Sequence, residues 1–426
     1  MSSPRQRIVA GIGANASSQV LAAVIQLVSV PLFLHYWSVS TYGRWLLLSA
    51  IPGYFSLADV GLGAVAMNQM TMLSAAGHQR KSNEIFQTTL LMIMMTAAAA
   101  GVLSTPVVWL TMSGAGGESD RLTLLMLIML ALLNIFSGMF DAVFRASGQF
   151  AAGVHLLNLG RLLEWLGGMS GLVVGHSMLA VAGGFLVART LFSVGMVKYC
   201  ARRFPAFVWG TSDASRSELK ALIVPGVSFL AFPLGNALSF QGMTILVGSM
   251  FGPALLAVFS TYRTVSRLLV QLLAVFSRSL WPEISRSYGS GEVILLRRIY
   301  RHGTYLAVAA CAAACLTLYI AGRPTINYWT GGKIAYQPAL FAAFLAVALA
   351  SCAWQVGMVM LQATNNHRRL ALAFLIASVC TLALAAMLPA SLGLFGATLA
   401  LGLFELIMIV VSHRLVRALL PGARSL

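Results

Sequence analysis

The chain of 426 residues is dominated by apolar runs that are about as long as a lipid bilayer is thick. A helix needs about 20 apolar residues to cross the hydrocarbon core. Such runs follow one another at 8–34, 45–67, 89–111, 122–140, 154–174, 178–199, 222–246, 254–276, 304–321, 339–360, 370–388 and 394–411. Helices are favoured over β-strands because the runs do not alternate, and because lipid forces each segment to satisfy its own backbone hydrogen bonds. The sequence therefore predicts an all-α polytopic membrane protein with twelve transmembrane helices.

The composition excludes the other broad classes of protein. Charged residues make up 9% of the chain and hydrophobic residues 59%, whereas a soluble protein carries roughly 25% charged residues. The apolar content excludes a disordered chain, and five cysteines are too few and odd in number for a disulfide scaffold. The net charge of +17 would suggest nucleic acid only if a solvated basic face existed, so we expect no nucleic-acid partner.

The basic residues are distributed unevenly among the connections between spans. With the N-terminus inside, 20 of the 28 Lys and Arg fall in inner segments and only four in outer segments. This asymmetry follows the positive-inside rule and predicts that both termini are cytoplasmic. It also predicts that the inner segments attract anionic membrane lipid. The remaining four lie within spans, and they are Arg161, Arg189, Arg263 and Arg267.

A polar interruption near the midpoint divides the chain into equal parts. It predicts an N-terminal six-helix half at 1–200, a cytoplasmic linker at 201–221 and a C-terminal six-helix half at 222–426. Halves that begin on the same side of the membrane are parallel repeats, which predicts two halves around a central cavity. A second inner insert, 277–303, begins with Trp-Pro and predicts a helix on the membrane surface. Because every outer connection is short, a catalytic domain has no place, and we expect a protein that is not an enzyme.

One face of the eighth span carries a polar stripe. At 100° per residue its members fall within an arc of about 80°, and they are Ser260, Arg263, Arg267 and Gln271. A charge at the bilayer centre costs about 2.5 to 3.5 kcal/mol on insertion scales, so such residues are candidates for function. Two cations without an acid on the same helix indicate a wall that binds an anionic substrate. The alternative is that they reach the membrane surface or pair with acids elsewhere.

Other polar residues within the spans are weaker candidates. Arg189 in the sixth span is a further candidate for substrate binding, whereas Arg161 in the fifth span lies three residues from Glu164 and can be neutralised by it. The first span carries amides within an arc of about 40° that either line a wet cavity or hold helices together; they are Asn15, Gln19 and Gln26.

Two carboxylates raise the question of ion coupling. Asp59 lies in the second span beyond a kink expected at Pro52, and Glu405 lies near the centre of the last span. Each could bind a proton or cation that drives transport, or each could be a fixed structural partner. Motifs for ATP hydrolysis and zinc chemistry are absent from the sequence. We therefore expect no cofactor and no metal, and leave proton or sodium coupling open.

The segment PLFLHYWSVSTYGRWLLLSAIPGYFSLADVGLG at 31–63 resembles the start of known membrane carriers. The similarity is to bacterial polysaccharide flippases, of the O-antigen type, in the multidrug/oligosaccharidyl-lipid/polysaccharide exporter superfamily. It rests on Asn15 and Gln19 in the first span, the Tyr42-Gly43 connection, the Asp59-Val-Gly-Leu-Gly run and the six-plus-six plan.

The resemblance implies a carrier in the bacterial inner membrane. Its cargo would be an undecaprenyl-pyrophosphate-linked oligosaccharide, moved from the inner to the outer leaflet by alternating access for O-antigen, lipopolysaccharide or exopolysaccharide assembly. The polysaccharide polymerase machinery would be an associated partner. In such families a cationic cavity receives the anionic head group, a role that Arg263 and Arg267 could serve. These arginines match no family motif and depend on the helical-face argument alone.

Two competing functions remain open at this stage. A multidrug or cation-coupled small-molecule exporter of the same superfamily would be expected to have an acid-dominated cavity, whereas the spans here contain four arginines and three acids. A membrane-embedded glycan polymerase or ligase is disfavoured by the short outer loops. The lipid-linked glycan flippase is therefore the preferred hypothesis.

Overall fold

The computed structural model describes residues 4–55, 62–111, 117–388 and 392–420, and helices dominate them with no strand in those ranges. The chain divides into two compact units. One unit comprises Met1–Trp37 and Leu47–Pro233, and the other comprises Ser38–Leu46 and Leu234–Leu426. The boundary at Pro233 lies within the run predicted as the seventh span, and the connection at 201–221 belongs to the first unit.

The helices of the first unit follow the predicted spans with local breaks. They are α1 Pro4–Tyr36, α2 Val39–Ala50, α3 Pro52–Phe55, α4 Leu62–Ala75, α5 Gln79–Thr111, α6 Glu118–Phe136, α7 Gly138–Ala146, α8 Phe150–Gly175, α9 Met178–Arg203 and α10 Arg216–Phe229. The start of α2 belongs to the second unit. The second span is interrupted before Pro52, as predicted, because proline lacks the N–H that would continue the helix.

Helices α8 and α9 pack closely through glycines. A Cβ built on Gly184 of α9 would lie 2.1 Å from the carbonyl oxygen of Gly167 on α8, and one built on Gly171 would lie 2.1 Å from that of Ala180. Small residues let helix backbones approach closely in membranes, where van der Waals packing drives association. These glycines therefore fix the separation of the two helices.

The connection between α9 and α10 is bound to the start of α5. Asn83 accepts a hydrogen bond from the backbone N–H of Val208 at 2.8 Å and donates one to the carboxylate of Asp213 at 3.1 Å. Gln87 accepts from the backbone N–H of Asp213 at 2.6 Å. The predicted linker is thus an ordered segment held by side chains of α5.

The second unit begins with a helix that is not regular. Its elements are α11 Ala231–Ala237, a π-helical turn Leu238–Gly242, α12 Met243–Ser279, α13 Trp281–Gly289, α14 Val293–Ile320, α15 Gly322–Trp329, α16 Pro338–Ala363, α17 Arg368–Met387 and α18 Gly393–Leu419. Helix α12 is broken at Gly252, which has a φ of +82° and precedes Pro253. The helix predicted on the membrane surface is α13, in which Ile284 is fully buried.

Nine helical stretches in the described part of the chain are long and apolar enough to cross a membrane. One of them, Ala231–Gly289, has 59 residues. A helix of that length would extend about 88 Å, far beyond a core about 30 Å thick, so the break at Gly252 divides it into two crossings. The two remaining predicted spans correspond to α8 and to the broken helix α2–α4. Wherever they are described, the twelve predicted spans fall mainly on helices, the second of them outside 56–61, and the chain is a multi-pass membrane protein.

Candidate functional site

Arg263 of α12 is buried, with 7% of its surface exposed. Its guanidinium donates to the carbonyl oxygen of Phe240 at 3.1 Å and to the hydroxyl of Thr244 at 2.7 Å. The Thr244 hydroxyl in turn donates to the same Phe240 oxygen at 2.8 Å. The three groups form a closed triangle of hydrogen bonds, which satisfies a buried cation without a carboxylate.

The acceptor in this triangle lies in the π-helical turn. Phe240 is the central residue of Leu238–Gly242. A π-helical turn replaces the usual i→i+4 hydrogen bond by an i→i+5 pattern, and such turns occur mostly as single insertions, frequently at functional sites. The irregular turn lets the Phe240 carbonyl meet the guanidinium of Arg263, and so places a cation at this point of the second unit.

Arg267 lies one turn further along α12 and contacts the same aromatic ring. The guanidinium carbons of Arg263 and Arg267 each lie 4.1 Å from the centroid of Phe240. Arg263 also lies 5.2 Å from the ring of Phe259. Cation–π contacts of this kind contribute about 2 kcal/mol or more when desolvated. Phe240 thus holds two arginines of the predicted stripe together.

The two arginines differ in how their charge is satisfied. Arg267 is half-buried, and within the described ranges it forms neither a hydrogen bond nor a salt bridge. Arg263 likewise has no carboxylate partner among the described residues. The other members of the stripe are the buried Ser260, whose hydroxyl has no hydrogen-bond partner among the described residues, and the half-buried Gln271. The stripe therefore has positive charge that no described acid compensates.

Arg189 in the first unit has a different environment. Its guanidinium lies 3.4 Å from the carboxylate of Glu164 and donates to the Ser137 hydroxyl at 2.6 Å. Only 6% of its surface is exposed. Glu164 forms its salt bridge with Arg189, while Arg161, exposed on α8, interacts with that carboxylate at longer range. Arg189 forms a neutral pair, so it contributes less to anion attraction than the predicted stripe does.

The amides of α1 hold no helices together within the described part of the chain. Asn15 and Gln19 are exposed and Gln26 is half-buried, and none of the three forms a hydrogen bond with another described residue. The polar contacts between α1 and α8 are made by serines instead. Ser18 donates to the side-chain oxygen of Asn158 at 2.9 Å, and the hydroxyl of Ser29 accepts from the Trp165 indole at 2.8 Å.

The two carboxylates considered for ion coupling differ in what the structure tells about them. Asp59 lies outside the described residues. Glu405 of α18 is half-buried and accepts a hydrogen bond from the indole of Trp354 on α16 at 2.6 Å. Its role in ion coupling stays a prediction, because the contact orients the carboxylate without showing what it binds.

Sequence reasoning missed three residues that shape these sites, namely Phe240, Thr244 and Trp354. Each is an uncharged residue in an apolar run, so it gives no signal in a search for charges in lipid. The one available signal is the position of Thr244 in a helix, because a threonine hydroxyl commonly donates to the carbonyl oxygen four residues earlier, here that of Phe240.

Comparison with known proteins identifies the fold. Protein-family models give no match to the sequence. The curated proteins give none either. Among solved structures, an inward-facing multidrug resistance MATE family transporter of the MOP superfamily aligns with a TM-score of 0.75 at 15% identity, covering 94% of this chain and 99% of that chain. An outward-facing structure of a multidrug resistance MATE family transporter aligns with a TM-score of 0.65 at 16% identity, covering 98% of this chain and 96% of that chain. A MATE in complex with MaD3S aligns with a TM-score of 0.65 at 15% identity, covering 98% of this chain and 97% of that chain.

The fold class that the sequence predicts is confirmed by this likeness. The chain has the all-helical, twelve-helix, two-half architecture of the MATE transporters to which it is similar. The narrower resemblance to polysaccharide flippases concerns cargo, which a shared fold does not specify.

Proposed function

We propose that the protein is an alternating-access transporter whose cargo is an anionic lipid-linked oligosaccharide with a pyrophosphate head group. One observation supports this choice of cargo above the others. Arg263 and Arg267 lie together against Phe240 within a membrane-spanning helix, and no described carboxylate neutralises them. A pyrophosphate that crosses lipid needs compensation of its charge, and guanidinium groups bind phosphate oxygens in a bidentate manner.

The two arginines have separate tasks in this proposal. Arg263 is held in place by its hydrogen bonds to Phe240 and Thr244, so it supplies fixed positive potential. Arg267 has all of its N–H donors available to cargo, because no described residue accepts from them. A cationic side chain in lipid costs about 2.5 to 3.5 kcal/mol. An anionic cargo that pairs with Arg267 would offset this cost during transit.

The test uses Arg267→Gln with Arg278→Gln as its matched control. Arg278 is an exposed arginine at the end of the same helix, so both variants remove one positive charge from α12. The assay is transfer of a fluorescent undecaprenyl-pyrophosphate oligosaccharide across proteoliposome membranes. We expect Arg267→Gln to lower the rate at least about tenfold, since one charge-assisted hydrogen bond contributes about 1.5 to 3 kcal/mol, while Arg278→Gln transports normally. Equal rates for the two variants would remove Arg267 from the site.

A second candidate function is multidrug export or cation-coupled export of small molecules. It is favoured by the solved structures that share the fold, since two of those described above are multidrug resistance transporters. In that case Glu405, held by Trp354, is the candidate group for cation binding or coupling. Efflux of a cationic dye that depends on Glu405 and is insensitive to Arg267→Gln would support this function over the first.

A further inference from the structure

The ends of α14 and α18 are joined by a polar contact between two aromatic residues. The hydroxyl of Tyr300 lies 3.1 Å from Nδ1 of His413, and their rings stack with centroids 6.2 Å apart. Gly357 of α16 lies beneath this pair, because a Cβ built on it would meet the Ser412 hydroxyl at 2.2 Å and the Tyr300 ring at 3.4 Å. Three helices therefore converge here, and the Tyr300–His413 contact fixes the register of α14 against α18.

That register places arginines of both helices at the same depth. Arg297 precedes the apolar run of α14, which starts at 304, by seven residues, or about 10.5 Å along the helix. Arg417 follows the apolar run of α18, which ends at 411, by six residues, or about 9 Å. The two side chains thus lie at the level where an apolar span gives way to lipid head groups.

Arg297 and Arg417 also lie on the sides of their helices that flank the contact. At 100° per residue Arg297 is about 60° from Tyr300 around α14, and Arg417 is about 40° from His413 around α18. Arg417 interacts electrostatically with both Tyr300 and His413. The Nε of Arg297 is buried and has no hydrogen-bond partner among the described residues.

The positive charge around this contact has no described acid to balance it. The acids in the neighbouring segment are occupied, since Glu283 lies 3.9 Å from Arg286 and Glu292 accepts from the Ser290 hydroxyl at 3.1 Å. No arginine at these two helix ends forms a salt bridge within the described part of the chain; the residues are Arg297, Arg298, Arg301, Arg414 and Arg417. Such a group attracts anions strongly.

We propose that Arg297 and Arg417, with the Tyr300–His413 pair between them, form a binding site for the phosphate of an anionic glycerophospholipid at the edge of the second unit. Basic pockets between transmembrane helices bind lipid head groups in this way. The two guanidiniums would supply the donors to the phosphate, and the apolar runs of α14 and α18 would adjoin the acyl chains. The site is separate from the proposed cargo site and does not depend on it.

The experiment titrates detergent-solubilised full-length protein with palmitoyl-oleoyl phosphatidylglycerol and follows its melting temperature. The test variant is Arg297→Gln/Arg417→Gln. The control, Arg202→Gln/Arg203→Gln, removes the same charge from the end of α9 in the first unit, where both arginines are exposed. Each charge-assisted hydrogen bond to the bound phosphate contributes about 1.5 to 3 kcal/mol, so we expect the loss of both guanidiniums to raise the half-saturating lipid concentration at least about a hundredfold in the test variant. The control should stay within about threefold of the parent.

Separate arms distinguish lipid from free anion. Phosphatidylcholine, inorganic phosphate and glycerol phosphate should leave the melting temperature unchanged. If the free phosphates raise the melting temperature as much as phosphatidylglycerol does, the assignment to lipid is wrong. If the half-saturating lipid concentration rises equally in the test and control variants, the site is wrong. Photoactivatable phosphatidylglycerol should label 293–304 and 409–420 of the parent protein. This mapping needs no variant, and labelling only elsewhere would also refute the proposal.

Discussion

Replacing Arg263 and Arg267 singly by Met is expected to change stability in opposite directions. The two residues share a helix, a helical face and an aromatic neighbour. They differ in their hydrogen bonds, since Arg263 makes two and Arg267 makes none with described residues. Met is a flexible apolar side chain that fills irregular space without adding a charge.

The magnitude for Arg263→Met follows from the bonds it loses. Two charge-assisted hydrogen bonds contribute about 3 to 6 kcal/mol together, and the contacts with two rings add about 2 to 4 kcal/mol. Removing the buried charge returns about 2.5 to 3.5 kcal/mol. Thr244 still donates to the Phe240 oxygen, so no buried acceptor is left without a partner. We expect a net destabilisation of about 2 to 7 kcal/mol.

For Arg267→Met the same reasoning gives the opposite sign. The variant loses one contact with the Phe240 ring, about 1 to 2 kcal/mol, and is relieved of a charge that costs about 2.5 to 3.5 kcal/mol. The variant should therefore be about 1 kcal/mol more stable than the parent and yet transport poorly.

The free energy of unfolding in lipid bicelles, measured by steric trapping, tests both signs, and transport is assayed in parallel. A stabilised, inactive Arg267→Met would identify a residue kept for recognition and not for folding. If Arg267→Met proves the less stable of the two variants, the assignment of separate tasks to the arginines is refuted.

Three further predictions concern packing and polar contacts. Gly184→Ala should lower the melting temperature by pushing α8 and α9 apart, whereas Gly195→Ala on the same helix meets no atom within 4 Å and should be neutral or stabilising. Asn83→Ala should release the connection between α9 and α10, seen as faster proteolysis there with the fold retained. Trp354→Phe removes the donor that orients Glu405 and should slow any Glu405-dependent efflux of a cationic dye, measured in proteoliposomes beside the parent protein.

The course of the helices could be predicted from the sequence because apolar length is a local property. The interruption at Pro52 was equally accessible, since proline acts on its own helix. The break at Ser137, between α6 and α7, carries no proline and gives no local signal. It coincides with the hydroxyl that accepts from Arg189, a contact between residues that are 52 positions apart.

The candidate site was predictable in its charges but not in its partners. The helical-face argument brought Arg263 and Arg267 together, and the structure places both against one ring. The ring itself, Phe240, lies on a helix whose phase is shifted by the π-helical turn, so a regular 100° wheel assigns it to the wrong neighbours. Trp354 could not be predicted either, because its partner Glu405 lies on another helix, 51 positions away in the sequence.

The π-helical turn makes the candidate site sensitive to chain length and not only to residue type. A π-helical turn accommodates one residue more than an α-helical turn. Deleting one residue from 238–242 would let the helix revert to regular geometry, withdrawing the Phe240 carbonyl from Arg263 while leaving the helices on either side intact. A deletion elsewhere in the regular part of α12 would instead rotate every following side chain by about 100°. At this turn, the insertion or deletion of one residue can therefore make or break the contact of Arg263 with Phe240 while the rest of the fold is retained.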